Sequence, residues 1–125
     1  MCYSGKKMTA ADIENLFGVE FSLAGSNRRR DETRIMGYWA DYLMDCEEQN
    51  EGVSLEDILM FATGLRALPP AGMQPWPSID FIYNSTFPLS NTCGNVIRLP
   101  VSGSYEQFKT SMDFGIQNSP GFGQP

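Results

Sequence analysis

The apolar residues of this 125-residue chain change their spacing across one proline-rich connector, and that change limits the folds open to it. Before the connector they mostly recur every three or four positions, the period of a helix face. After it they alternate as in a strand, and then return to helical spacing. Helices first, strands next and a helix last describe an α+β domain rather than the regular alternation of an α/β sheet. The connector carries Pro69, Pro70, Gly72, Pro75 and Pro77, and Trp76 within it reads as a packing anchor.

The element signals are local. Thr9 reads as an N-cap with Asp12 three residues on, so a short helix carries Ile13, Leu16 and Phe17 and stops at Gly18. Val19, Phe21 and Leu23 alternate with polar residues and predict a short extended piece. Ala24 to Asn27 is a polar break and the best boundary in the chain. From about residue 30 to 48, Ile35, Tyr38, Trp39, Tyr42, Leu43 and Cys46 share one face of a second helix. Arg34, Asp41, Asp45 and Glu48 form its wet face. Ser54 with Asp57 opens a third helix that Gly64 closes. Ile79, Phe81 and Tyr83 predict a strand, 87–95 a loop, and Val96 to Leu99 a second strand closed by Pro100. Ser104 and Gln107 make an S-x-x-Q capping box for the last helix, which buries Tyr105, Phe108, Met112 and Ile116.

Composition narrows the chemistry. The chain has no histidine, which removes Ser-His-Asp and Cys-His hydrolase layouts, HExxH metalloproteases and Cys/His zinc fingers. A net charge of −6 repels phosphate backbones, so nucleic acid is not an expected partner. The run Arg28-Arg29-Arg30 meets Asp31 and Glu32 at once and reads as a solvated helix start. Cys2, Cys46 and Cys93 are odd in number, widely spaced and without a CxxC pair, so neither a disulfide framework, a metal site nor any cofactor is expected. No apolar run reaches transmembrane length and no signal-peptide pattern opens the chain, so a cytoplasmic or nuclear protein without membrane contact is expected.

Cys46 falls in the apolar stripe and reads as a buried core thiol. Cys93 does not. It lies between Thr92 and Gly94 in a polar loop that leads into a strand, where nothing needs a hydrophobic thiol. Partly exposed loop cysteines are where nucleophiles are found. An incidental loop cysteine is the plainer alternative.

Three further elements accompany Cys93 in order. They are F-A-T-G-x-x-x-x-P-P from Phe61 to Pro70, N-T-C-x-N-x-x-x-L-P from Asn91 to Pro100, and a G-F-G tail around Phe122. Together they resemble the C-terminal lobe of a HECT-type ubiquitin ligase, in register from about Asn27 to Pro125. The resemblance implies a HECT C-lobe-like α+β fold, with a small sheet packed by several helices and the active cysteine in a loop before a strand. Residues 1–25, opening Cys2-Tyr3-Ser4-Gly5-Lys6-Lys7, then look like the end of the N-lobe and the hinge, and 26–125 like the C-lobe with its flexible tail.

The resemblance also implies a thioester relay. Cys93 would accept ubiquitin from a conjugating enzyme, which docks through the N-lobe, and pass it to a lysine of a protein substrate. Thr92 and Asn95 match the supporting loop, where backbone N–H groups and the Thr92 hydroxyl would hold the thioester oxygen or the thiolate. Both residues also suit simple turn formation. Phe122, fourth from the end between two glycines, matches the aromatic that docks on the N-lobe; packing on its own domain is the alternative.

The relay explains why a chain without histidine can work. Thioester exchange expels a thiolate whose conjugate acid has a pKa of about 8.5, so no proton must be delivered to it. Lysine attack does need a proton acceptor, for which Asp80, Glu106 and Asp113 are candidates. Three departures stand out: Gly94 replaces a large aromatic, Asn91 a frequent histidine, and Val96-Ile97-Arg98 a more acidic or apolar run. A non-catalytic module that binds ubiquitin or a ligase is the second expectation. A chain lacking the N-lobe is expected to be charged poorly by a conjugating enzyme.

Overall fold

A computed structural model describes residues 9–48, 52–65 and 76–119. Four helices, α1 (Ala10–Leu16), α2 (Asn27–Glu48), α3 (Leu55–Thr63) and α4 (Tyr105–Gln117), pack with four strands, β1 (Gly18–Val19), β2 (Ser78–Ile82), β3 (Leu89–Asn91) and β4 (Val96–Pro100). The α+β class is as expected. The proline-rich connector falls mostly outside the described residues. Trp76, at its described end, is 57% exposed, so it is not the buried anchor expected of it.

The caps form for the reasons expected of them. Thr9 and Asp12 satisfy each other's backbone N–H groups at α1, and Ser54 and Asp57 do the same at α3. Gly64 ends α3 at φ 83°, a left-handed conformation that glycine adopts without a Cβ clash. Two ends depart from expectation. α2 begins at Asn27 rather than near residue 30, because Ser26 Oγ accepts the Arg29 N–H and caps the helix. At α4 the box is half made: Ser104 Oγ accepts from Gln107 N, but Gln107 Oε1 turns to the Gly103 N–H.

The sheet order is β1-β2-β4-β3, with β1 and β4 parallel to β2 and β3 antiparallel to β4. β3 is new relative to the expected loop over 87–95. The extended piece from residue 19 to 23 is also shorter than expected: only Gly18 and Val19 pair, and Leu23 is 84% exposed. Phe21 instead stacks on Phe81 beneath the Arg29 guanidinium, and the buried Glu32 carboxylate accepts both the backbone N–H and the hydroxyl of Ser22. Arg28 also lies over Tyr83, so the basic run is partly stacked rather than simply solvated.

One sheet face buries Ile79, Ile97 and Leu99 against the helices. The other carries Asp80 and Arg98, paired at 3.8 Å. Trp39, Leu43, Ile58, Phe108 and Met112 complete the core, and Ile13 and Phe17 of the first segment belong to the same cluster. Two tyrosine–aspartate bonds join α2 to α4: Tyr42 donates to Asp113 at 2.7 Å, and Tyr105 donates to Asp45.

Cys46 sits in this seam as a core thiol. Burial pushes it from its ordinary 9.0 up to about 12. Burial also raises Tyr42 and Tyr105 well above the phenol range, helped by the negative charge of Asp113 and Asp45 respectively. The unfolded chain releases the Cys46 proton first, so the folded state binds more protons above pH 9.0. Stability is therefore full below that pH and declines as pH rises toward about 12. Urea midpoints measured at neutral pH and above pH 9.0 should fall with pH, and Cys46→Ala should make the decline shallower.

Where α4 passes the entry to β3, glycine is required. A Cβ on Gly115 would stand 2.6 Å from Cδ and 2.7 Å from Cγ of Pro88, whose ring cannot bend away. Gly115→Ala gains helix propensity but should still lose about 1–3 kcal/mol through overpacking. A urea midpoint equal to or above that of the parent would show that α4 shifts freely.

Candidate functional site

Cys93 stands exposed in the turn that joins β3 to β4. The turn is built by two asparagines. Asn91 ends β3, and its side-chain Oδ1 accepts the N–H of Cys93 at 3.1 Å and that of Gly94 at 3.3 Å. Its backbone oxygen also accepts from Gly94 N at 3.2 Å. Asn95 then takes a left-handed φ of 56°, which asparagine tolerates better than most residues. Its carbonyl accepts the Ser78 N–H at 3.0 Å and ties the turn to β2. Asn95 is buried at 8% exposure, while Thr92 and Cys93 face solvent.

Elements distant in sequence meet beside this turn. A Cβ on Gly64 would lie 3.8 Å from Thr92 Cβ, so the T-G end of α3 abuts the residue before the cysteine. Thr63 holds that end: its hydroxyl donates to Leu59 O at 2.7 Å and accepts from Leu65 N at 3.1 Å. Met60, Phe61, Gly64, Ser90, Thr92 and Ser119 line a hollow of about 370 Å³ next to Cys93. Leu99 and Pro100 are buried farther along β4 and serve packing.

The structure thus brings Thr92, Cys93 and Asn95 together, with Thr63–Gly64 at their side. Phe122 lies outside the described residues. The acids do not gather at the cysteine turn. Asp113 is engaged by Tyr42 and by Lys109 at 3.6 Å, Asp80 by Arg98, and Glu106 lies past the far end of β4 in the first turn of α4. Among the described residues, no cluster of Cys, Asp and Glu has the arrangement of a metal site. No helix among them is long and apolar enough to cross a membrane.

Sequence reasoning missed the role of Asn91, which had registered only as a departure. Two short runs, Leu89-Ser90-Asn91 and Val96-Ile97-Arg98-Leu99, flank a four-residue stretch containing Gly94. That spacing is a hairpin signal and would have pointed to it.

The family model for the HECT-domain (ubiquitin-transferase) matches residues 21–124. A human G2/M phase-specific E3 ubiquitin-protein ligase is 33% identical over 119 residues, which cover 95% of this chain and 16% of the relative. Proteins of the same description are 34% identical in Macaca fascicularis and 31% in Gallus gallus, with 16% and 15% of their lengths covered. The chain therefore spans about 16% of the length of the first two relatives it matches.

Proposed function

The chain belongs to the HECT-domain (ubiquitin-transferase) family, and from that premise we propose that Cys93 is its ubiquitin acceptor. The observation that carries this reading is the place of the thiol. It is exposed on a turn shaped by flanking polar residues, whereas Cys46 is sealed in the core. A thiol so placed contributes nothing to packing and is open to a large acyl donor.

In the first step the Cys93 thiolate attacks the carbonyl carbon of a thioester between ubiquitin and a conjugating enzyme. The carbon–sulfur bond to the donor cysteine breaks, and that cysteine leaves as a thiolate. Ubiquitin is then held on Cys93. In the second step a substrate lysine attacks the new thioester, and Cys93 is released. That amine needs a proton acceptor; of the candidate acids, Asp113 is held by Tyr42 and Lys109 and Asp80 lies 3.8 Å from Arg98. Thr92 and Asn95 shape the accepting loop, and Phe122 docks on an N-lobe. Residues 1–25 are the end of that lobe and the hinge, although Ile13 and Phe17 share the core of the rest. Ubiquitin, a conjugating enzyme and a protein substrate are the partners, in the cytoplasm or nucleus.

The test is a charging assay with a ubiquitin-loaded conjugating enzyme, read as an adduct that thiol reductant removes. The assay is run with an N-lobe supplied, because a chain lacking one is expected to be charged poorly; the adduct should then form on the parent chain and be absent from Cys93→Ala. If the adduct is absent from both even then, while ubiquitin binding persists, the chain is a non-catalytic ubiquitin-binding module.

A further inference from the structure

A polar pocket opens at the end of the sheet opposite the Cys93 turn. β2 and β4 run parallel, and the chain leaves both of them at this end, through Tyr83 and through Val101 and Ser102. Between these exits and the first two turns of α4 lies a cavity of about 640 Å³. Crevices at the carboxyl ends of parallel strands are common ligand sites, and this volume is within the usual range. Ser111 reaches the cavity from α4. It is only 7% exposed, yet its hydroxyl meets no hydrogen-bond partner among the described residues. A hydroxyl inside a helix can turn onto the carbonyl four residues back. Those of Thr33 and Thr63 do so, at 2.8 and 2.7 Å. Those of Thr110 and Ser111 do not, and both residues line the cavity.

Charge selects the ligand. Glu106 is the one charged residue among the described residues that line the cavity, and no described cation pairs with it. It sits in the first turn of α4, where the helix dipole presents roughly half a positive charge. A full carboxylate outweighs that, so the pocket repels anions and favours cations. The net charge of −6 also draws basic partners to the chain. Glu106, Thr110 and Ser111 stand at i, i+4 and i+5 on one face of α4. Together they offer a negative charge and two free hydroxyl oxygens. An ammonium brings three rotatable donors and no acceptor, which suits oxygens spread over two turns better than the planar fork of a guanidinium does. The cavity is larger than one side chain and leaves room for the backbone that carries it. Asn84 and Thr86, in the loop after β2, have no described partners and can bond that backbone. We propose that this pocket takes a lysine side chain of a partner protein, with Glu106 countering its charge and Ser111 and Thr110 accepting its N–H groups. A partner held there docks at the end of the sheet away from Cys93 and leaves the thiol open.

The test is an amide NMR titration of the whole chain with a blocked tripeptide, acetyl-Gly-Lys-Gly-amide. Its norleucine counterpart, which keeps the length but lacks the ammonium, is titrated in parallel. The lysine peptide should shift the amide signals of residues 83–86 and 101–111 and leave those of Cys93 and Gly94 in place. It should bind at least about fivefold more tightly than the norleucine peptide. Glu106→Gln removes the charge and keeps the shape, and should weaken the lysine peptide at least about threefold. Ser111→Ala removes the buried oxygen with a residue that helices favour, and should weaken it by a similar factor. Added salt should weaken the lysine peptide on the parent and much less on Glu106→Gln. Each variant's own amide spectrum, matching the parent's outside the pocket, shows that it folds. Equal binding of the two peptides, shifts centred elsewhere, or full lysine affinity in either variant overturns the proposal. So does the absence of any shift at the solubility limit of the lysine peptide. None of these readouts depends on Cys93 as the ubiquitin acceptor.

Discussion

Cys93→Ala should abolish the reducible ubiquitin adduct completely, while Cys46→Ala and Cys2→Ala leave it in place. The expected contrast is all or none because the attacking group is a thiolate and alanine has no substitute for it. Cys46 cannot stand in. It is 3% exposed, and burial pushes its thiol up to about 12, so at neutral pH it is neither reachable nor ionised. The assay is a non-reducing gel of each variant after exposure to a charged conjugating enzyme, with a reduced duplicate lane. An adduct of undiminished intensity on Cys93→Ala would move the acceptor to another cysteine. Mass spectrometry of the parent adduct, digested without reductant, should place the modification on the peptide that spans the β3–β4 turn.

Phe108→Ala should be the most damaging single truncation in the α2–α4 seam. Phe108 is fully buried, with its ring 6.1 Å from that of Tyr42 at 88° and 5.9 Å from that of Tyr38. Its loss removes the transfer energy of a large side chain and leaves a cavity between rigid rings, at a cost of about 3–5 kcal/mol. A domain of this size has about 5–15 kcal/mol in total, so the variant would be marginal. The melting temperature should fall by about 10–20 °C. Phe114→Ala is the control. It lies on the same helix and loses the same ring, but it is 52% exposed and pairs only at the surface with Phe87. Its cost should be about 1 kcal/mol. Similar losses for the two variants would mean that the seam is loosely packed.

Much of the fold was legible because its signals are short-range. Thr9 with Asp12 and Ser54 with Asp57 are capping pairs that any helix start would use. The stripe of Ile35, Trp39, Tyr42, Leu43 and Cys46 has one helical face to bury, and it does. Gly64 ends α3 because a left-handed residue is needed there. Where a signal depends on what lies across the space, the reading failed. Trp76 looked like an anchor because tryptophan usually is one, yet it faces solvent. Leu89-Ser90-Asn91 has weak strand propensity and pairs only because β4 offers it an edge.

The site divides along the same line. The amino-acid sequence by itself determined that the candidate acceptor is a thiol, that it sits in a polar loop, and that this chain offers it no imidazole. Those are matters of side-chain identity and local conformation, which neighbouring residues decide. Only the tertiary structure decided that the T-G end of α3 abuts Thr92, that the candidate acids are engaged elsewhere, and that Asn91 gathers two N–H groups onto one oxygen. Packing of α3 on the sheet and closure of the β3–β4 hairpin create these contacts. Their geometry depends on register and burial across the whole domain, which no stretch of sequence states locally.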